Sequence, residues 1–480
     1  MNENRAFGTK LWVLTHTTLE TRKPMPDILP ILMALSPVLP TTSCRQLHRI
    51  VLAMLSMTGR ITQLGLSRWT DEGGSYRTIQ RFFQTSIDWT AVQWRFFVLF
   101  VHQQDAVYIL AGDESPINKA GKKTYGLDWF FSSIHDKVMR GLGFFSIALI
   151  NVDKRQAYSL STEQIVRSVE EKEQAKKRKA LRKTHSQKPG PKKPRGRPVG
   201  SKNKNKAEVT LSPELVRILA QVQKVLLRIG NKIRIAYFVL DGHFGNSCAC
   251  AMVRQAGLHI ISKMHYNAEL YLQPTAQEKA ERPKLKYGAR IDYAHLPEAL
   301  RGSSATEDGY RAEVYQAQCL HKLFADPINV VIVVKTHLET KRVMHMVFFS
   351  SDLSLEADKL FDYYKLRFQI EFTFRDAKQY FGLEDFMGVK ETSVANAAGL
   401  SFFMVNLSTY LLDELRTSYP GAGVNDLKSY SRALHYIAEV MKFVPEKPEI
   451  ITRSSLLEHV CRRMFIHPKQ NREPDLKLAA

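Results

Sequence analysis

Asp358 to Phe386 reads DKLFDYYKLRFQIEFTFRDAKQYFGLEDF, and everything else in the chain is placed by reference to it. No Gly or Pro interrupts it before Gly382, so it predicts a continuous helix. At about 100° per residue, Arg367, Glu371 and Lys378 fall within roughly 60° of Tyr364 around such a helix. One face then carries an aromatic ring, a carboxylate and two cations, with Phe368 and Arg375 in the same span. A lone Arg–Glu pair at this spacing is ordinary surface chemistry. A mixed face is not, because amphipathic helices separate apolar from solvated sides. Phe361, Phe372 and Phe374 are expected to anchor the helix in a core. The polar face suits a site that handles a metal and a phosphate.

Two aspartates lie upstream at the ends of strand-like runs. Asp113 closes the apolar run VYILAGDES, which predicts a buried strand emerging at a polar turn. Two more strand-like runs follow, LGFFSIALINVD and AYSL, around a turn at Asp153-Lys154. Asp241 closes KIRIAYFVLDGHFGN; a helix over Asn246 to Gln255 and a strand LHIISKM come next, a βαβ pattern that favours a parallel pair. Asp-Gly is also common turn chemistry, so either aspartate alone has a bland reading. The order strand-Asp, strand-Asp, helix-Glu carries more. Phosphodiester hydrolysis, or attack by a 3′-hydroxyl, needs an activated nucleophile and charge relief at both oxygens. Two divalent ions about 3.5–4 Å apart supply this, and Mg²⁺ takes carboxylate oxygens.

The spacing Tyr-x2-Arg-x3-Glu-x6-Lys resembles the signature of bacterial insertion-sequence transposases of the insertion-sequence-four type, in the DDE superfamily. The resemblance runs from about Leu110 to Met387. It implies an α/β, ribonuclease-H-like mixed sheet flanked by helices, with a β-rich insertion and helical N- and C-terminal regions. It further implies that Asp113, Asp241 and Glu371 hold two Mg²⁺ ions, with Mn²⁺ as a substitute, and that Arg367 and Lys378 contact phosphates beside the scissile bond. Tyr364 would help hold a terminal phosphate, and Phe368 would stack on a base near the transposon end. Two departures stand out: family members often carry Trp where this chain has Phe368, and Asp241-Gly-His-Phe differs from the commoner Asp-x-Gly-Tyr/Phe. The second leaves His243 without a role.

Composition points to nucleic acid independently. Lys and Arg total 69 against 47 Asp and Glu, a net charge of +22, which is the footprint of a backbone-binding protein. Glu171 to Lys206 alone holds 15 basic and 2 acidic residues, a net of +13. Its first part, from STEQIVRSVEEKEQAKKRKALRK, predicts a charged helix; SQKPGPKKPRGRPVGSKNKNK has too little apolar content to fold alone. Within it, Pro194-Arg195-Gly196-Arg197-Pro198 resembles an AT-hook, whose arginines enter a narrow A·T minor groove. A polybasic loop without groove preference is the plainer reading. Order returns at Ser212-Pro213, a helix start, and the helix is expected to stop at Gly230. The five cysteines contain no C-x-x-C, which argues against a zinc module and for buried thiols in a reducing compartment.

The expected organisation is a helical DNA-binding region over 1–104; a first catalytic part over 105–266, with a basic insert at 161–208; a β-rich insertion over 267–350; the Glu-bearing helix within 351–395; and a helical region over 396–480. In the first region GGSYRTIQRFF resembles a helix-turn-helix docking element with Arg77 and Arg81 on one face; a packed helix with surface arginines is the alternative. AAGLSFFMVNLSTYLL is only 16 residues long and contains Asn406, too short and polar to span a bilayer. With no signal peptide visible at MNENRAFGTK, the expected location is cytoplasmic, with the nucleoid. The sequence thus reads as a cut-and-paste transposase acting on double-stranded terminal inverted repeats and target DNA, as a homodimer in the synaptic complex. The alternatives are a two-metal nuclease that cuts without joining, and a decayed end-binding repressor.

Overall fold

The structure is a computed structural model and describes residues 25–70, 73–132, 136–174, 176–177, 180, 206, 208–444 and 450–467. The chain forms two compact units, residues 33–407, and residues 1–32 together with 408–480.

Residues 28–100 form helices α1 (Ile28–Met33), α2 (Thr41–Ser56), α3 (Gln63–Arg68), α4 (Tyr76–Gln84) and α5 (Trp89–Phe100). Thr62, Ser75 and Asp88 cap three of them by accepting from backbone N–H groups of the first turn. Strands β1 (Tyr108–Asn118), β2 (Asp128–Ser132), β3 (Lys137–Asn151) and β4 (Gln156–Ile165) follow. Then come α6 (Pro213–Ile229), β5 (Tyr237–Val239), α7 (Ser247–Gln255), β6 (His259–Met264), β7 (Leu270–Leu272), α8 (Ala276–Glu281) and β8–β11 (Arg301–Glu307, Tyr310–His321, Ile328–His337, Val343–Ser350). The last elements are helices α9 (Ala357–Leu366), α10 (Gln369–Tyr380), α11 (Glu391–Ser418), α12 (Val424–Met441) and α13 (Ile450–Met464).

One mixed sheet of 11 strands organises the larger unit. Its centre runs β4-β3-β1-β5-β6: β3 is antiparallel to β1 and β4, whereas β1, β5 and β6 are parallel. Buried residues Leu110, Leu149, Tyr158, Phe238, Leu240 and Ile260 cover one face and pack against α5, α6 and α7. Alternation then puts Ala111, Val239 and Ile261 on the other face, where α9 and α10 lie. This large mixed sheet flanked by helices is consistent with a ribonuclease-H-like DDE fold.

Five expectations change. Asp113 does not end its strand; β1 continues to Asn118 because β3 pairs with it along its whole length. Ser161–Ile165, read as the start of a charged helix, belongs to β4, held by β3 residues Gly143–Ile147. The strands of the β-rich stretch do not stand apart: β11 pairs with β6, so they extend the central sheet. The helix expected over Asp358–Phe386 is two helices, α9 and α10, joined at Arg367-Phe368. The apolar stretch near residue 400 belongs to a helix of 28 residues that is long and apolar enough to cross a membrane, with 83% of its apolar window buried. Asn406 on that helix is fully buried and makes hydrogen bonds to Gln93 Oε1 (2.7 Å) and to the Ser159 carbonyl (2.8 Å), so its polarity serves packing on β4.

In the smaller unit, Asp426 near the start of α12 accepts from the Gly423 N–H and from His467 Nδ1, both at 2.9 Å. Tyr419 packs on Phe465, ring centres 4.8 Å apart. These contacts tie the start of α12 to the end of α13.

Candidate carboxylate site and its family

Register builds the site. Ala111 pairs with Val239 across the parallel β1 and β5, so Asp113 and Asp241, each two residues further on, stand level and on the same face. That is the face carrying α9 and α10. Asp241 just clears the end of β5, where its Oδ1 accepts from the His243 N–H at 3.1 Å and starts a turn of 3-10 helix over Gly242–Phe244. Its carbonyl accepts from Ser262 Oγ at 2.7 Å. Together these bonds fix Asp241 at the carboxyl end of β5.

Glu371 arrives from above. Where α9 meets α10, hydrogen bonds tighten to the i→i−3 pattern: Phe368 N–H to Lys365 O at 3.1 Å, Glu371 N–H to Phe368 O at 3.1 Å. The overwound turn puts Arg367 at the junction and Glu371 in the first turn of α10, where the positive helix end favours a carboxylate. Arg367 then bridges. One amino group donates to Asp113 Oδ2 at 2.6 Å and the other to Glu371 Oε1 at 3.1 Å. The guanidinium lies 5.9 Å from the Tyr364 ring centre, and its Nε is buried with no hydrogen-bond partner among the described residues.

The electrostatics are those of crowded acids. Burial pushes the Asp113 carboxyl up to about 6, Arg367 opposes this, and the charges of Asp241 and Glu371 raise it further. Burial likewise raises the Tyr364 hydroxyl. Among the described residues no group of three or more Asp, Glu, His or Cys side chains is gathered closely enough to hold a metal; Arg367 stands between Asp113 and Glu371. In kind the donors suit a hard divalent cation: all three side chains offer carboxylate oxygens, and the charges of Asp241 and Glu371 both raise the Asp113 carboxyl, a repulsion that a cation would relieve.

Other expected residues fall in several places. Lys378 Nζ donates to the Pro116 carbonyl of β1 at 2.9 Å, and burial lowers its pKa. It therefore docks α10 onto the Asp113 strand. Phe368 is 49% exposed and packs edge-on against Phe372, ring centres 5.2 Å apart. Phe372, expected in the core, is itself exposed, while Phe374 is buried against Phe402. Arg375 pairs with its neighbour Asp376 and covers the Phe372 ring. Arg77 and Arg81 sit exposed on α4, which packs on α2 and α3. Arg195 and Arg197, and most of the basic insert with them, lie outside the described residues.

Sequence reasoning missed two features. His243 turns from Asp241 toward Glu214 on α6, Nε2 to Oε1 3.4 Å, and that partner raises its pKa. The loop after α10 is a clamp: Lys119 donates to the carbonyls of Glu384 and Phe386, both at 2.8 Å, and Asp385 accepts from Arg60 Nε (3.2 Å) and the Ile61 N–H (3.0 Å). Gly382, at φ 73°, permits the close approach, since a Cβ there would stand 2.6 Å from Ile61 Cβ. No local pattern announces such a clamp, because its partners are distant in sequence.

No curated protein matches the chain. A family model described as DDE superfamily endonuclease matches residues 34–317, which is 284 of the 480. The match covers both aspartates and ends before Glu371. With more than half of its length matched, the chain belongs to the DDE superfamily endonuclease family.

Proposed function

We propose that the protein is a DNA transposase of the insertion-sequence-four type, cutting phosphodiester bonds at terminal inverted repeats and joining the freed ends to target DNA. The observation that carries this reading is that Arg367 bridges Asp113 and Glu371 while Asp241 stands level with Asp113 on the next strand's end. Asp113, Asp241 and Glu371 would hold the divalent ions, whose charge would help activate the attacking oxygen and relieve the leaving one. Arg367 does the orienting. Its buried Nε lacks an acceptor, which a phosphate oxygen would provide, and its planar fork suits that geometry. Tyr364 lies beside it with its hydroxyl kept protonated by burial, a donor for the same phosphate. Lys378 holds α10 against β1 and so keeps Glu371 over Asp113. Exposed Phe368 is available to an unstacked base. DNA as partner, a homodimer in the synaptic complex and work at the nucleoid belong to the same proposal.

The family description favours a second reading, an endonuclease that cuts without joining. Incubation with Mg²⁺, a labelled transposon end and a supercoiled target separates the two: joined products support the transposase, and cleavage alone the nuclease. Asp113→Ala, Asp241→Ala and Glu371→Ala should each abolish cleavage while leaving DNA binding within a few-fold. Retained cleavage in any one variant removes that residue from the site.

A further inference from the structure

The row of level residues does not end at Asp241. Val239 of β5 pairs in parallel with Ile261 of β6, so Lys263, two residues on, stands level with Asp241 and on the same face. Asp113, Asp241 and Lys263 therefore form a row across β1, the end of β5, and β6, parallel strands about 4.8 Å apart. On its far side Lys263 pairs across the sheet with Phe348 of β11, whose ring packs on Tyr364, centres 4.8 Å apart. Lys263 thus lies between a carboxylate and the aromatic ring next to Arg367.

The turn after Asp241 is shaped around this lysine. A Cβ at Gly245 would stand 2.1 Å from the Lys263 carbonyl, and one at Gly242 would lie 3.9 Å from Lys263 Cβ. Gly245 alone is required by this approach, to the Lys263 backbone; at Gly242 the distance is ordinary contact. Lys263 is half-buried, and its ammonium makes no ion pair or hydrogen bond among the described residues. Arg367 and Lys378, by contrast, already bond Asp113, Glu371 and the Pro116 carbonyl, Arg367 keeping only its Nε free among the described residues. With its stem packed and its head group uncommitted, Lys263 can reach an anion laid across this face.

We infer that Lys263 forms a phosphate subsite on the side of Asp241 away from Asp113, binding a DNA backbone phosphate next to the one cut. The subsite rests on the DNA-cleaving reading of the carboxylates. Its place in the row sets the path of the strand: across β1, β5 and β6 toward Tyr364. Lys263 is a positioning residue that acts as a point charge, so Arg should replace it and Gln should not.

Binding of a duplex of arbitrary sequence, followed by fluorescence anisotropy in EDTA across a salt series, tests the subsite without any cleavage. Each phosphate that is no longer neutralised lowers the slope of log K against log salt by ~0.9. Lys263→Ala and Lys263→Gln should show that fall and bind three- to tenfold more weakly, with Lys263→Arg restoring both. In Mg²⁺, Lys263→Ala should nick at least tenfold more slowly than wild type, and Lys263→Arg within threefold. Unchanged slope in Lys263→Ala and Lys263→Gln, with melting temperatures like the wild type, overturns the subsite. Unchanged slope with a raised Mg²⁺ requirement overturns it too, leaving Lys263 a counter-charge to Asp241. A wild type that binds but never nicks sinks the nuclease reading instead, while the slope still decides the subsite.

Discussion

Arg367 donates to Asp113 at 2.6 Å across 254 positions of sequence. The pair fastens the α9–α10 junction to the central strand, and both side chains are largely buried, 13% and 19% exposed. Breaking a buried pair from one side leaves the other charge stranded, at a cost of about 3 kcal/mol. Here the cost should sit at or below that figure, because Asp113 without its partner can take up a proton near neutral pH. Arg367→Ala should therefore lower stability in a urea melt and reduce cleavage by about two to three decades, the usual effect of removing one preorganised donor. Arg367→Lys should recover part of the stability and little of the rate. A full recovery of rate would mean that charge alone matters, not the fork.

Asp113 makes an opposite prediction for stability. Its folded carboxyl holds a proton up to about 6 while the ordinary value is 3.8, so the folded state binds more protons between those limits. Stability should fall as pH rises through that window. Asp113→Asn removes the ionisation and should stabilise the protein at pH 7.5, by at most about 3 kcal/mol at 1.36 kcal/mol per unit. Mg²⁺ should raise the melting temperature of the wild type and not of the variant. A variant less stable than wild type at pH 7.5 would show that the Arg367 contact outweighs the desolvation.

Phe368 separates packing from stacking. With half its surface exposed, Phe368→Ala should leave stability within about 0.5 kcal/mol, the range for surface changes. A stacked base is worth ~1–3 kcal/mol, so the same variant should spare first-strand nicking and slow the later step by one to two decades. Phe368→Trp should be tolerated. A time course resolving nicked, double-cut and joined DNA reads this. Equal slowing of both steps would rule out base stacking.

The basic insert should govern affinity. Deleting Lys188–Lys206 should weaken binding and lower the salt slope by ~0.9 for every phosphate the segment neutralises. Arg195→Ala with Arg197→Ala should cost more on A·T-rich than on G·C-rich duplexes. An equal effect on both would leave only the polybasic-loop reading.

Residues 358–386 made Tyr364, Arg367, Glu371 and Lys378 legible as candidates on their own, because helical spacing is local and needs no partner. The strands leading to Asp113 and Asp241 were legible as short apolar runs, although the polar turn read at Asp113 does not form, since β1 runs on to Asn118. Alternation along β5 and β6 is equally local. Which strands become neighbours is not. The level placement of Asp113, Asp241 and Lys263 comes from pairing between segments more than a hundred residues apart in one case, and a slip of one residue would turn each side chain to the other face. Lys378 illustrates the same limit. Its spacing offered it to DNA, and only the docking of α10 on β1 brings its Nζ to the Pro116 carbonyl. The break at Arg367 was invisible too, since no Gly or Pro marks it. It coincides with the point where one guanidinium reaches both Asp113 and Glu371, and the first of these contacts exists only once the sheet has formed.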